Sequence, residues 1–243
     1  MAGTYASALV VLLAAAGTGQ AVFLVCGRRE WSWLAPPVGL GVLCAVSWGF
    51  LNLTGDPLPA VVALVALAAG GGLVLARERA AIGSGFVVAL AALALASLPF
   101  VVEGRFGILG TSLNPDMSQH LFAADRLANG GVERLISEGY PLGPHAVAAS
   151  LDQLGPSLVQ AFGGLTLAIA VVTALTSLAL LRDLRPTRLV LGALVVGFAY
   201  MAASYLIQGA FKETLQALLV LTFAVGLHEL ATGTLGGSAP KER

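Results

Sequence analysis

Apolar stretches about as long as a bilayer is thick recur along this chain, and no other feature narrows its fold as far. A helix crosses the roughly 30 Å of hydrocarbon with about 20 apolar residues. Runs of this kind lie at about 5–26, 34–53, 58–75, 82–102, 158–181, 189–207 and 211–230. Composition agrees, because 57% of the 243 residues are hydrophobic and 11% charged, where a soluble domain carries roughly 25% charged residues. The expected fold is therefore all-α: a polytopic transmembrane helix bundle of about seven spans, with a long outer loop carrying an amphipathic helix.

Local signals mark the ends of the runs. Gly27-Arg28-Arg29-Glu30 closes the first, and Trp31 and Trp33 follow at a position suited to the headgroup level. Pro36 and Pro37 open the second, where missing N–H donors cost least. Thr54-Gly55-Asp56-Pro57 reads as a tight turn into the third. Gln208-Gly209-Ala210 reads as a short turn between the last two, and the stretch 141–154 is ambiguous between a loop and a short helix ending near Gly155-Pro156. Cys26 and Cys44 fall inside apolar runs and read as small core residues, since a metal site or disulfide framework needs more cysteines at other spacings. The many Gly and Ala residues suit helices that pack closely in lipid. No internal repeat, glycine-rich phosphate loop or matched pair of broken helices is evident, although a transporter built from inverted repeats usually has such symmetry.

Basic residues orient the bundle. A secretory leader places Lys or Arg ahead of a short apolar core. Here none precedes Tyr5, and Arg28-Arg29 comes after the run, which reads as a retained first helix with its N-terminus outside. The inner connections then hold Arg28, Arg29, Arg77, Arg79, Arg182, Arg185, Arg188, Lys241 and Arg243, and the outer ones Arg105, Arg126, Arg134 and Lys212. Nine against four obeys the positive-inside rule at a cell membrane. The chain then divides into four N-terminal transmembrane helices (1–102), an outer loop with an amphipathic helix and a re-entry segment (103–157), three transmembrane helices (158–230) and a polar cytoplasmic tail (231–243). With 13 basic and 13 acidic residues, nothing points to a nucleic-acid partner; membrane lipid is the expected one.

The polar stretch from Glu103 to His145 holds most of the candidates for chemistry. Asn114-Pro115 is a good helix start and Asn129-Gly130-Gly131 a strong stop, which predicts a helix over 115–128. On it Asp116 and His120 lie one turn apart on one face, and Ala123 continues that face and leaves room above it. Met117, Leu121, Ala124 and Ala128 form an apolar stripe, so the helix is expected to lie on the membrane surface. The Asp116 carboxylate could serve as general base toward a hydroxyl, or Asp116 and His120 could offer two ligands to a divalent cation, Mg or Mn. The bland alternatives are an Asp that favours a helix N-terminus and a solvated His120. Glu103, the first acid after the fourth run, either joins the site or ends its helix, and Asp125-Arg126 and Glu133-Arg134 read as solvated faces or local pairs. His145 follows two prolines at the outer rim. Lys212 and Glu213 open the seventh run on the same outer face, where charges at membrane depth are costly and tend to be functional. Lys212 could bind a lipid-linked phosphate with Glu213 beside it, or snorkel to the interface.

An Asp116-x-x-x-His120 helix in an outer loop, then Tyr140-Pro-x-Gly-x-His145-Ala before a span, then Phe211-Lys212-Glu213 opening a later span, resembles large polytopic membrane proteins of actinobacteria that look like GT-C type glycosyltransferases. The resemblance implies transfer of a sugar from a polyprenyl-phosphate donor to a cell-envelope glycan on the outer face. It implies Asp116 as the acidic residue acting as base or metal ligand, and His120 and Lys212 as metal or phosphate contacts; Glu103 as a second catalytic acid and Glu213, His145 and Arg126 as further substrate contacts are candidates that the residues themselves offer. It also implies that the chain is the N-terminal portion of a longer protein with further transmembrane segments. The alternative is a non-catalytic transporter subunit or envelope-assembly scaffold.

Overall fold

The computed structural model describes residues 1–78, 83–105, 115–129 and 140–233, and for Glu103 and Pro115 the backbone alone. The regular elements among them are all helices: α1 (Ala2–Val25), α2 (Ala35–Thr54), α3 (Pro57–Arg77), α4 (Gly83–Ala96), α5 (Leu98–Glu103), α6 (Pro115–Ala128), α7 (Gly143–Asp152), α8 (Leu158–Thr176), α9 (Leu178–Leu181), α10 (Pro186–Gly197), α11 (Tyr200–Ile207) and α12 (Phe211–Ala231). Six stretches are long and apolar enough to cross a bilayer, and α10 with α11 forms a further bent pair. The protein is a multi-pass helical membrane protein.

Caps follow local chemistry. Gly55 takes the left-handed conformation that ends α2 (φ 67°), and Asp56 Oδ1 accepts from the Leu58 N–H at 2.8 Å to start α3. Ser157 and Gln160 form a reciprocal capping box at the start of α8. The N-cap expected at Asn114, the stop at Gly130-Gly131, the pair Glu133-Arg134 and the tail beyond residue 233 lie outside the described residues.

The bundle is built around α8. Of its apolar span 89% is buried, against 22% of α12, whose far side carries exposed Val220, Phe223 and Leu230. Apolar side chains on that surface suit lipid, not water. Packing around α8 is close because small residues line the crossings. A Cβ on Gly17 would strike the backbone of Gly71, and one on Gly164 would meet Ser7 and the Thr4 carbonyl, so α1 lies against α3 and α8 with no side chain between.

Two ends can be distinguished. At the basic end Arg28 reaches Glu229, and Leu34, Ala179 and Val225 pack together, which brings the exits of α1, α9 and α12 to one level. At the opposite end, here the cap end, the termini of α2 and α3 meet α6 and α7 through Leu51, Ala60, Leu127 and Ala146.

Three expectations change and one open alternative is resolved. The sixth span is not one helix: it bends by 60° at Phe198-Ala199 between α10 and α11. It still crosses, because Leu189 packs on Leu178 and Val88 near the basic end, while Leu206 packs on Ala8 and Phe100 toward the cap. Second, α6 has the expected bounds, but its apolar stripe packs against the protein itself. Its apolar face, Ala124 and Leu127 included, is buried against the protein's own α7 and α2. Ala123, expected to leave room above it, is buried in the same cluster. Third, the ambiguous stretch is the helix α7, with His145 through Leu151 all buried. Gly143 lets it close on α2, since a Cβ there would come within 2.8 Å of Cys44 Cβ. Fourth, Cys26 is exposed just beyond α1 instead of sitting in the core.

Candidate functional site at the cap end

Four helices converge on one patch. The first turns of α6, α7 and α12 supply Asp116, His145 and the pair Lys212-Glu213, and α8 supplies Phe162. His120, one turn past Asp116, is 8% exposed, and His145 is 1% exposed. His120 Nδ1 and His145 Nε2 are 2.9 Å apart, a hydrogen bond that joins α6 to α7. Rings enclose the pair. Phe211 sits 4.9 Å from the His120 ring and 5.6 Å from His145, Phe162 is 5.7 Å from His145, and Tyr140 tilts over His120 at 6.1 Å. His120 is not the solvated residue of the bland alternative, and His145, expected at the outer rim, is buried because α7 folds inward and carries it along.

Above this buried layer Lys212 Nζ donates to Asp116 Oδ2 at 3.0 Å, across 96 positions of sequence. The pair stays open to its surroundings, with side-chain exposures of 36% and 53%. Lys212, by hydrogen bond and by charge, holds the Asp116 carboxyl below its ordinary range, so the group is ionised at neutral pH. Burial, with the charges of His120 and Lys212 adding to it, pushes His145 down to about 3. His120 is also lowered, by burial and by Lys212, against the opposing pull of Asp116 and Glu213. Both rings are therefore neutral at physiological pH, and among the described residues Lys212 is the cation of the patch.

A neutral histidine pair sharing one N–H···N bond leaves one donor and one acceptor over, whichever tautomer forms. Those atoms, His120 Nε2 and His145 Nδ1, are buried and bond to no described group; the same holds for Glu213 Oε2. A buried polar atom without a partner costs about 1–3 kcal/mol, so each of the three calls for a partner beyond the described groups.

Of the residues singled out from sequence, Asp116, His120, His145, Lys212 and Glu213 come together here. Arg126 does not: six positions past His120, it is turned well around α6 and lies over the Phe122 ring at 5.2 Å, with no pairing to Asp125, which bonds Asn129 instead. The backbone of Glu103 ends α5, and its side chain lies outside the described residues. For a divalent cation the available atoms are few. His120 Nδ1 is bonded to His145 and Asp116 to Lys212, and among the described residues no three His, Cys, Asp or Glu side chains are grouped to hold a metal.

Sequence reasoning did not single out Tyr140, Phe162 and Phe211 as the walls. Signals existed for two of them, since Tyr140 opens the Tyr140-Pro-x-Gly-x-His145 motif and Phe211 directly precedes the charged pair at the start of α12. Nor did it single out Gln20, a buried amide within α1, or the partnership of Arg28 with Glu229. Compared with known proteins, the chain matches no family model, and no curated protein or solved structure aligns with it significantly.

Proposed function

We propose that the cap-end patch transfers a sugar from a polyprenyl-phosphate donor to a cell-envelope glycan, as GT-C type enzymes of actinobacteria do. The observation that carries this reading is the Lys212–Asp116 contact: a cation suited to phosphate and a carboxylate suited to a hydroxyl, side by side at the open edge of a membrane bundle. The orientation supporting it puts the cap outside and the C-terminus in the cytoplasm. Arg28, Arg29, Arg182 and Arg185 lie in connections at the basic end, with Arg77 closing α3 and Arg188 in the first turn of α10 there, the arrangement expected of an inner face.

The donor phosphate takes Lys212 from Asp116. The released carboxylate accepts the proton of the acceptor hydroxyl as that oxygen bonds the anomeric carbon. The bond from that carbon to the phosphate oxygen breaks, and its electron pair stays on polyprenyl phosphate beside Lys212. His120 and His145 are positioning residues, because they tie the helix bearing Asp116 to α7 and are too buried to touch substrate. A Mg or Mn ion would have to displace Lys212 from Asp116, so no step is routed through one.

The test is transfer by the reconstituted protein from a polyprenyl-phosphate sugar. Asp116→Asn should cut turnover about 100-fold or more, the usual worth of a general base. Unchanged turnover removes Asp116 from the chemistry. The second reading, a transporter subunit, is favoured by the bent α10–α11 span and the apolar cavity of about 200 Å³ beside it, bounded by Gly197, Leu206 and Ala217. Solute uptake into proteoliposomes without any transfer product would decide for it.

A further inference from the structure

Gln20 in α1 and Gln216 in α12 both lie within bilayer-length helices, and the fold treats them in opposite ways. The Gln20 amide is buried, donates to the Glu30 carbonyl at 3.1 Å and accepts from the Ser32 N–H at 3.3 Å. Gln216 is exposed, and among the described residues its amide nitrogen finds no acceptor. It stands five residues past Phe211, the first residue of α12, which is roughly 8 Å into the span at about 1.5 Å per residue. A polar side chain within a span ordinarily faces the bundle interior, because it is costly anywhere else. One that faces outward calls for a partner that arrives through the bilayer.

The place of Gln216 on α12 says what that partner carries. It lies one turn past Lys212, so the two share a face. Helical side chains lean toward the N-terminus of their helix, which aims the Gln216 amide back at the turn that bears Lys212. Side chains one turn apart start about 5–6 Å from each other, a spacing at which two donors can bracket one phosphate group. Lys212 supplies the positive charge there and is held to Asp116 only by an open contact. Further along, the same face continues with Leu219, Val220, Phe223 and Leu227, all exposed. A cation and an amide donor at the head of an uncovered apolar stripe match an amphiphile with an anionic head and a long tail.

We propose that this face of α12 is where the donor lipid docks from the bilayer. Its phosphate lies between Lys212 Nζ and the Gln216 amide, and its first isoprene units lie on Val220 and Phe223. Lys212 alone would attract any phosphate; Gln216 and the stripe below it select a phosphate that carries a prenyl chain. The identity of the ligand rests on the sugar-transfer reading above, whereas the docking face rests on α12 itself.

Binding of geranylgeranyl phosphate to the full protein in phosphatidylcholine nanodiscs tests this without any transfer step. The wild type should bind it, and should hold geranylgeraniol and inorganic phosphate far more weakly. Gln216→Leu, which a membrane helix accommodates, should weaken binding about tenfold, the fold-change for one hydrogen bond to a charged group. Phe223→Ala should weaken it too, and Leu73→Ala, exposed on α3 toward the basic end, should leave it unchanged. Unchanged binding in Gln216→Leu overturns the proposal. So does equal binding of phosphatidic acid, which would mean that any anionic lipid is taken, and so does an equal loss in Leu73→Ala, which would mean partition into the nanodisc. The two readings fail separately. Prenyl phosphate bound through Gln216, with no transfer from its glycosylated form, upholds the docking face and removes the transfer. Transfer at the wild-type rate by Gln216→Leu below saturating donor removes the docking face and leaves the transfer.

Discussion

Both ends of α12 are tied across the bundle by an ion pair of the same length, 3.0 Å, and the two ties differ in kind. Arg28–Glu229 is enclosed, with side-chain exposures of 13% and 5%, and the Arg28 guanidinium also lies over Phe23 at 5.6 Å. Lys212–Asp116 is open, at 36% and 53%. Removing one partner of an enclosed pair strands a charge with nowhere to go. An open pair is screened and exchangeable, and adds little stability. The last helix is thus anchored at the basic end and only rested at the cap. An exchangeable pair at the cap is what the proposed function requires, because a phosphate taking Lys212 would break only an exposed contact.

The sharpest way to break this contrast is Glu229→Ala. It should lower stability in detergent by about 3 kcal/mol, or on the order of 10 °C in the thermal midpoint. A small shift would mean that Arg28 finds another partner and the anchor is not there. The histidine pair predicts the next effect. Both rings have folded-state pKa values below the ordinary 6.5 or so of the unfolded chain, so the unfolded state binds protons first as pH falls. The stabilisation from keeping them neutral is complete above about 6.5 and drains away below it, by up to about 1.4 kcal/mol per pH unit for each ring. Titration of His120 is modulated by Asp116, Lys212 and Glu213, but Asp116 stays ionised until well below this window. Denaturation measured between pH 6.5 and 5 should therefore slope steeply in the wild type and flatten in His120→Asn/His145→Gln; equal slopes would mean the pair is not held neutral. The smallest effect belongs to Lys212→Met, which should leave the thermal midpoint unchanged at low and high salt alike. A midpoint that drops as far as in Glu229→Ala would erase the difference between the ends.

Span positions were readable because hydropathy over about 20 residues is local and long-lived in sequence. Each long helix begins and ends within a few residues of its apolar run, and α6 was marked by Pro115 at one end and Asn129 at the other. The break at Phe198-Ala199 was not readable, since both halves are apolar and no proline marks it. The direction faced by α6 was not readable either. Its stripe suits a membrane surface and α7 equally, and only the inward fold of α7 chose between them.

For the patch, residue types in linear order pointed to Asp116, His120, His145 and Lys212, yet their layering came from packing. Whether a histidine is a solvated base or a neutral buried linker depends on what surrounds it, and the rings of Tyr140, Phe162 and Phe211 arrive from separate segments. The same holds for Arg28, which in sequence is one of several arginines at a helix end and in the fold is the enclosed partner of Glu229, 201 residues away. Sequence alone settled that this chain crosses a membrane repeatedly, because the transfer of apolar residues into lipid needs no partner. Which charges are free, which are paired and which rings stay neutral was decided by tertiary structure, because burial and pairing are properties of neighbours the chain meets only once folded.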